Sequence, residues 1–127
     1  MTEESLAEAL TARTIPAQPK TEELAAMESS KNLFAVIRRY GPPYDPQEPL
    51  EAQPEWEAHR VFMNQLEAAG LARLAGPLEE TEKVLLIFRA ENEEEIERNL
   101  KADPWTQSGI LSTERILRWN LRLGEVA

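Results

Sequence analysis

The stretch PEWEAHRVFMNQLEAAG, Pro54 to Gly70, decides how the rest of the chain must be arranged. Counted from His59, positions i+3, i+4 and i+7 are Phe62, Met63 and Leu66, which is one apolar stripe of an α-helix. Pro54 suits the first turn, where its missing N–H costs nothing, Glu55 and Glu57 favour the positive end of the helix dipole, and Gly70 closes the helix. The spacing therefore predicts a helix over residues 54–69 with His59, the only histidine of the chain, on its inward face.

Working upstream, Leu33-Phe34-Ala35-Val36-Ile37 is a short continuous apolar run ending in Arg38-Arg39-Tyr40, as expected of a strand buried on both faces. Between it and the helix lies a loop, Gly41 to Gln53, with Pro42, Pro43, Pro46 and Pro49. Two readings of the loop stand: a functional lid, with Tyr40 and Tyr44 forming an aromatic wall over a pocket, or a proline-stiffened crossover. Downstream, residues 71–78 and 83–90 read as a hairpin joined through Glu79 to Glu82. Gly76-Pro77 either lets the backbone approach a ligand or ends a strand in a turn.

Asn92 with Glu95 three positions later is a capping box for a second helix, whose stripe is Ile96 and Leu100. Asp103 continues that stripe, and Pro104 forces the helix to stop near Ala102 or Asp103. A carboxylate at that C-terminal end is repelled by the helix dipole, by roughly 0.3–1 kcal/mol if exposed. A short turn through Trp105 to Gly109 leads to a last strand, about Ser112 to Leu123. It alternates Leu117, Trp119, Leu121 and Leu123 with Ile116, Arg118, Asn120 and Arg122.

The order β-α-β-β-α-β predicts an α+β, ferredoxin-like fold: a four-stranded antiparallel sheet with both helices on one face. Because the first and third strands are apolar on both faces, the side without helices needs a cover. The economical one is a second copy packed sheet to sheet in a twofold homodimer; the alternative is the N-terminal extension. That extension, residues 1–32, holds two helix-compatible pieces, Thr2 to Arg13 and Thr21 to Ser29, divided by Pro16 and Pro19, and is expected to dock or to stay mobile. Residues 33–127 form the domain proper.

Composition narrows the function classes. The chain has 127 residues, 42% hydrophobic, with no apolar run approaching the roughly 18 residues of a membrane span, so a soluble globular protein is expected. The acidic start, Met1-Thr2-Glu3-Glu4-Ser5, is unlike a signal peptide, and a cytoplasmic location is the default expectation. Without cysteine there are no disulfides, thiolate zinc sites or thiol nucleophiles. Twenty-three acidic against 14 basic residues, net charge -9, argue against nucleic acid and anionic membranes as partners, leaving a small molecule or a protein.

His59 and Asp103 are two titratable side chains on core-facing stripes, and they are the candidate catalytic pair. A carboxylate beside an imidazole in a partly apolar pocket poises the ring for general acid–base work, with Asp103 setting its tautomer and orientation. Arg38 and Arg118, on the first and last strands, are the candidate binders of an anionic or enolate oxygen. One histidine and one aspartate fall short of a metal site, so no metal or cofactor is expected. The competing reading is a non-catalytic module that binds a small ligand or a protein, in which His59 is a buried histidine and Asp103 a turn former before proline.

The ordered set Val36-Ile37-Arg38, His59-Arg60-x-Phe62-Met63-x-x-Leu66-x-x-x-Gly70, Ala75-Gly76-Pro77, Ile87-Phe88 and Asp103-Pro104-Trp105 with Gly109 resembles the YciI-like, or YCII-related, family over about Leu33 to Leu123. The resemblance implies a dimeric α+β barrel of ferredoxin-like subunits with an active site around a His-Asp pair, here His59 and Asp103. It also implies lyase-type chemistry, since family members with an assigned activity act on halogenated aromatic ring intermediates. Tyr44, Gly76, Pro77 and Trp105 join Arg38 and Arg118 as candidate substrate-binding residues. The long proline loop and the extension depart from the shortest members.

Overall fold

The structure is a computed structural model that describes residues 31–126; the two helix-compatible pieces expected within residues 1–30 lie outside the described residues. Four strands, β1 (Asn32–Tyr40), β2 (Ala72–Pro77), β3 (Lys83–Ala90) and β4 (Leu111–Arg118), form one antiparallel sheet in the order β2-β3-β1-β4. Helix α1 (Trp56–Ala68) links β1 to β2, and α2 (Glu93–Leu100) with the short α3 (Pro104–Ser108) links β3 to β4. The α+β, ferredoxin-like arrangement expected from the element order is the one observed.

The helix-covered face of the sheet carries the main core, although Ile87 on the other face is also buried. Phe34, Val36, Leu86 and Phe88 meet Leu66 of α1, Ile96 and Leu100 of α2, and Trp105 of α3, all buried. In β1 burial alternates rather than running through both faces: Phe34, Val36 and Arg38 are buried, while Leu33, Ala35 and Ile37 are half-buried. The helices account for this, since both lie against the same side. The alternation also places Arg38, expected at the strand's end, as its last fully buried position, with half-buried Tyr40 following on the same face. On the opposite face, paired across β2, β3, β1 and β4, stand Leu74, Ile87, Ala35 and Leu117, of which Leu74 is 59% and Leu117 39% exposed.

Four local expectations are corrected. Helix α1 begins at Trp56, two residues after Pro54, because Glu55 takes a left-handed conformation, φ 64°. Strand β4 ends at Arg118, so the alternation through Leu123 is not strand; β1 begins at Asn32, and the Trp119 N–H on the Leu33 carbonyl is the last step of pairing. Trp105 to Gly109 is not a plain turn but the helix α3 closed by Gly109 at φ 86°. Asp103 does not end α2, which stops at Leu100; it is the N-cap of α3, with its carboxylate accepting the Trp105 N–H. At that end a negative charge is stabilised by the dipole instead of repelled.

The capping box of α2 forms with a shift. Asn92 Oδ1 accepts the Glu95 N–H at 2.9 Å, and Glu95 Oε1 reaches back to the N–H of Glu91 rather than to that of Asn92. The proline loop is compact: buried Gln53 accepts the Asp45 N–H at 2.9 Å and donates to the Asp45 and Glu48 carbonyls.

Candidate functional site

Two helix starts create the site. His59 lies in the first turn of α1, its N–H bonded to the Glu55 carbonyl at 2.9 Å, and Asp103 caps α3 because an extended residue before proline suits that place. The sheet packs these starts together, so that residues 44 apart in sequence meet: the imidazole Nδ1 and Asp103 Oδ1 are 2.9 Å apart. The same oxygen accepts the Trp105 N–H at 2.9 Å, and Oδ2 accepts Arg38 Nη1–H at 2.9 Å. Arg38 Nη2 donates to Thr106 Oγ1 at 2.5 Å, and its buried Nε has no hydrogen-bond partner among the described residues.

Electrostatics make Asp103 a lasting anion. Burial by itself would raise its pKa, but hydrogen bonds from His59 and the Trp105 N–H, with the charges of His59 and Arg38, outweigh that and hold it below the usual carboxylate value. Burial lowers the Arg38 pKa while Asp103 opposes the change; starting near 12.5, the guanidinium stays charged at neutral pH.

Aromatic rings surround the pair. The Trp105 indole stacks on the imidazole, centroids 4.0 Å apart and planes 5° from parallel. Trp56 is tilted to both, 6.1 Å from His59 and 5.8 Å from Trp105. Beside them opens a cleft of about 350 Å³ between α1 and the β2 edge, lined by His59, Trp56, Met63, Tyr40, Gly76 and Pro77 among others. Its walls are mostly apolar, with Arg60, Asn64, Glu67 and Arg73 adding polar groups.

The residues singled out in the sequence divide into two groups. His59, Asp103, Arg38 and Trp105 are brought together, and Gly76 and Pro77 line the cleft. Arg118 stands apart: exposed, it pairs in register with Phe34 and donates to Asn32 Oδ1 at 2.9 Å. Arg38 lies four steps along β1 from Phe34, about 13 Å along a strand. Tyr44 backs the cleft by stacking on Tyr40 at 3.8 Å, and it is Tyr40 that faces the space. Burial, then Tyr44, pushes the Tyr40 hydroxyl up to about 12, so it is a neutral phenol at physiological pH.

Sequence reasoning missed Trp56 and Thr106, while Tyr40, named with Tyr44 as an aromatic wall, does line the cleft. Counting inward positions from Phe34 and Val36 would have turned Arg38 toward the core, and an Asp-Pro N-cap would have suggested α3. Nothing in the spacing signalled that Thr106 would meet Arg38, because that contact joins β1 to α3 across 68 residues.

Comparison with known proteins adds to this geometry. No curated protein matches the chain. A solved structure, 5-chloro-2-hydroxyhydroquinone dehydrochlorinase (TftG) from Burkholderia phenoliruptrix AC1100 in complex with 2,5-dihydroxybenzoquinone, superimposes with a TM-score of 0.52 and 24% identity. The match covers 69% of this chain and 93% of that one, and at such identity it is a likeness of fold. The YCII-related domain matches residues 33–120, from β1 to just past β4. On that match, which spans most of the chain and contains every residue of the His59–Asp103–Arg38 cluster, this protein belongs to the YCII-related family.

Proposed function

We propose that this protein is an enzyme that performs acid–base chemistry on a small molecule held in the cleft, with His59 exchanging the proton. The observation that carries the reading is the 2.9 Å bond between the imidazole Nδ1 and a buried carboxylate, on a ring that lines the cleft. A carboxylate that accepts Nδ1–H selects the tautomer whose lone pair is on Nε2. A base so placed needs only a substrate proton within about 3 Å. Asp103 is 0% exposed and off the cleft lining, and Arg38, which borders the cleft at 1% exposure, spends its terminal nitrogens on Asp103 and Thr106, whereas the His59 side chain keeps 11% exposure. Asp103 therefore positions His59, and Arg38 positions Asp103. With Arg38 on the lining but committed to Asp103 and Thr106, and Arg118 remote, the guanidinium that meets an anionic oxygen is that of Arg60 or Arg73, also on the cleft lining.

A cleft of this size with apolar walls suits a single ring. The related fold of a dehydrochlorinase supports an elimination on such a ring. Loss of hydrogen chloride removes one proton and releases one chloride, so one base and no redox partner suffice. The test uses 2,5-dihydroxybenzoquinone in a thermal-shift titration and 5-chloro-2-hydroxyhydroquinone in a chloride-release assay, each on the parent and on His59→Gln. The expected result is stabilisation and chloride release by the parent, with a folded, inactive variant. Equal release by His59→Gln would remove His59 from the mechanism, and binding without proton chemistry would point to a ligand-binding module.

The exposed Leu74 and Leu117, with Trp119 at 42% exposure, support a second proposal: a further copy of the chain packs on the open sheet face as a homodimer.

A further inference from the structure

One hydrogen bond does not hold an imidazole ring. The last torsion of a histidine side chain has a broad energy profile, so a ring tethered only at Nδ1 can tilt and carry Nε2 away from a substrate. We propose that Trp105 is the positioning residue that locks this torsion, through its parallel stack on the His59 ring and its tie to the start of α1. The proposal rests on the reading of His59 as the proton-exchanging group.

Three contacts converge on this tryptophan. Its backbone N–H shares Asp103 Oδ1 with His59. Its indole lies 4.0 Å from the imidazole and within 5° of parallel. Its Nε1–H donates to the Pro54 carbonyl at 2.7 Å, just ahead of a helix whose N-cap, Glu55, makes no side-chain cap of its own. The indole thus fixes both the ring and the backbone from which the ring projects. Trp105 borders the cleft but is only 1% exposed, so most of its surface is committed to His59 and the core. Trp56, tilted 46° to the imidazole, cannot substitute for the stack. With one ring face closed by indole, a substrate reaches Nε2 along the ring edge from the cleft.

His59 is the sole histidine, so every imidazole resonance of the protein belongs to it, and NMR of labelled full-length chain tests the proposal without a substrate. At alkaline pH, where an imidazole is neutral, the parent is expected to show one tautomer with the proton on Nδ1. Its ring protons should be displaced upfield of those in the unfolded chain by the indole ring current. Trp105→Phe keeps a stacking face and should keep the single tautomer; Trp105→Leu should lose the upfield displacement and give nitrogen shifts averaged over both tautomers. A parent without the displacement overturns the stack whether or not any variant folds. A folded Trp105→Leu that retains the single Nδ1–H tautomer overturns the positioning role. A parent that shows mixed tautomers overturns the reading of His59 itself, and this inference with it, so the two failures are told apart.

Discussion

Asp103 concentrates the chemistry of the molecule in one side chain without exposed surface. Its two oxygens take three donors, from His59, Trp105 and Arg38, and these hold its pKa below the ordinary value near 4. A carboxylate depressed in the folded state adds stability that is complete above its unfolded pKa and vanishes as pH falls through the folded one. Acid unfolding followed by circular dichroism should therefore show stability falling below about pH 4, and Asp103→Asn should flatten the curve there. At neutral pH the same substitution leaves the Arg38 charge buried and without its carboxylate, beside an Nε that has no partner among the described residues. The expected cost is about 3–5 kcal/mol, read from the urea midpoint. A loss below 1 kcal/mol would mean that the pair contributes nothing distinctive.

Single elements have their own weak points. At the end of β1, Gly41 donates its N–H to the Ile110 carbonyl at 2.8 Å, and a Cβ on it would sit 2.1 Å from the Gly109 carbonyl oxygen. This close approach brings the end of β1 against the α3–β4 junction, which is how Arg38 and Thr106 come within reach. Gly41→Ala must push two backbones apart, and overpacking of this kind typically costs 1–3 kcal/mol; a lower thermal midpoint checks it, and an unchanged midpoint would show that the junction yields freely. The start of α2 is a gentler case. Asn92→Ala removes the cap on Glu95 and should cost about 1 kcal/mol, measured in the same melts. Glu95→Ala should cost less, because its carboxylate reaches the Glu91 N–H outside the helix.

At the scale of the whole molecule the proposed homodimer makes a prediction about the open sheet face. If a second copy covers it, light scattering behind size exclusion should give twice the 14.4 kDa mass of one chain. Leu117→Glu, which places a charge on the β4 edge of that face, should return the particle to a single chain while leaving its circular dichroism intact. A dimer that survives this substitution would place the interface elsewhere. No helix among the described residues is long and apolar enough to cross a membrane.

Local periodicity and punctuation determined most of the architecture. The stripe through His59, Phe62, Met63 and Leu66, the capping box at Asn92 and the breaks at Gly70 and Pro104 identify elements because such signals act over a few residues of chain. The same signals place His59 and Asp103 on inward faces. They misplace Asp103 by one element, since a residue before proline can end one helix or cap the next, and only the packing of Trp105 selects between them. Tertiary structure alone decided that Arg38 would neutralise Asp103, that Trp105 would stack on His59 and that Arg118 would stand aside. These contacts join residues 44 or more positions apart or depend on strand register, and their energy comes from burial that exists only when the sheet and helices close on one another.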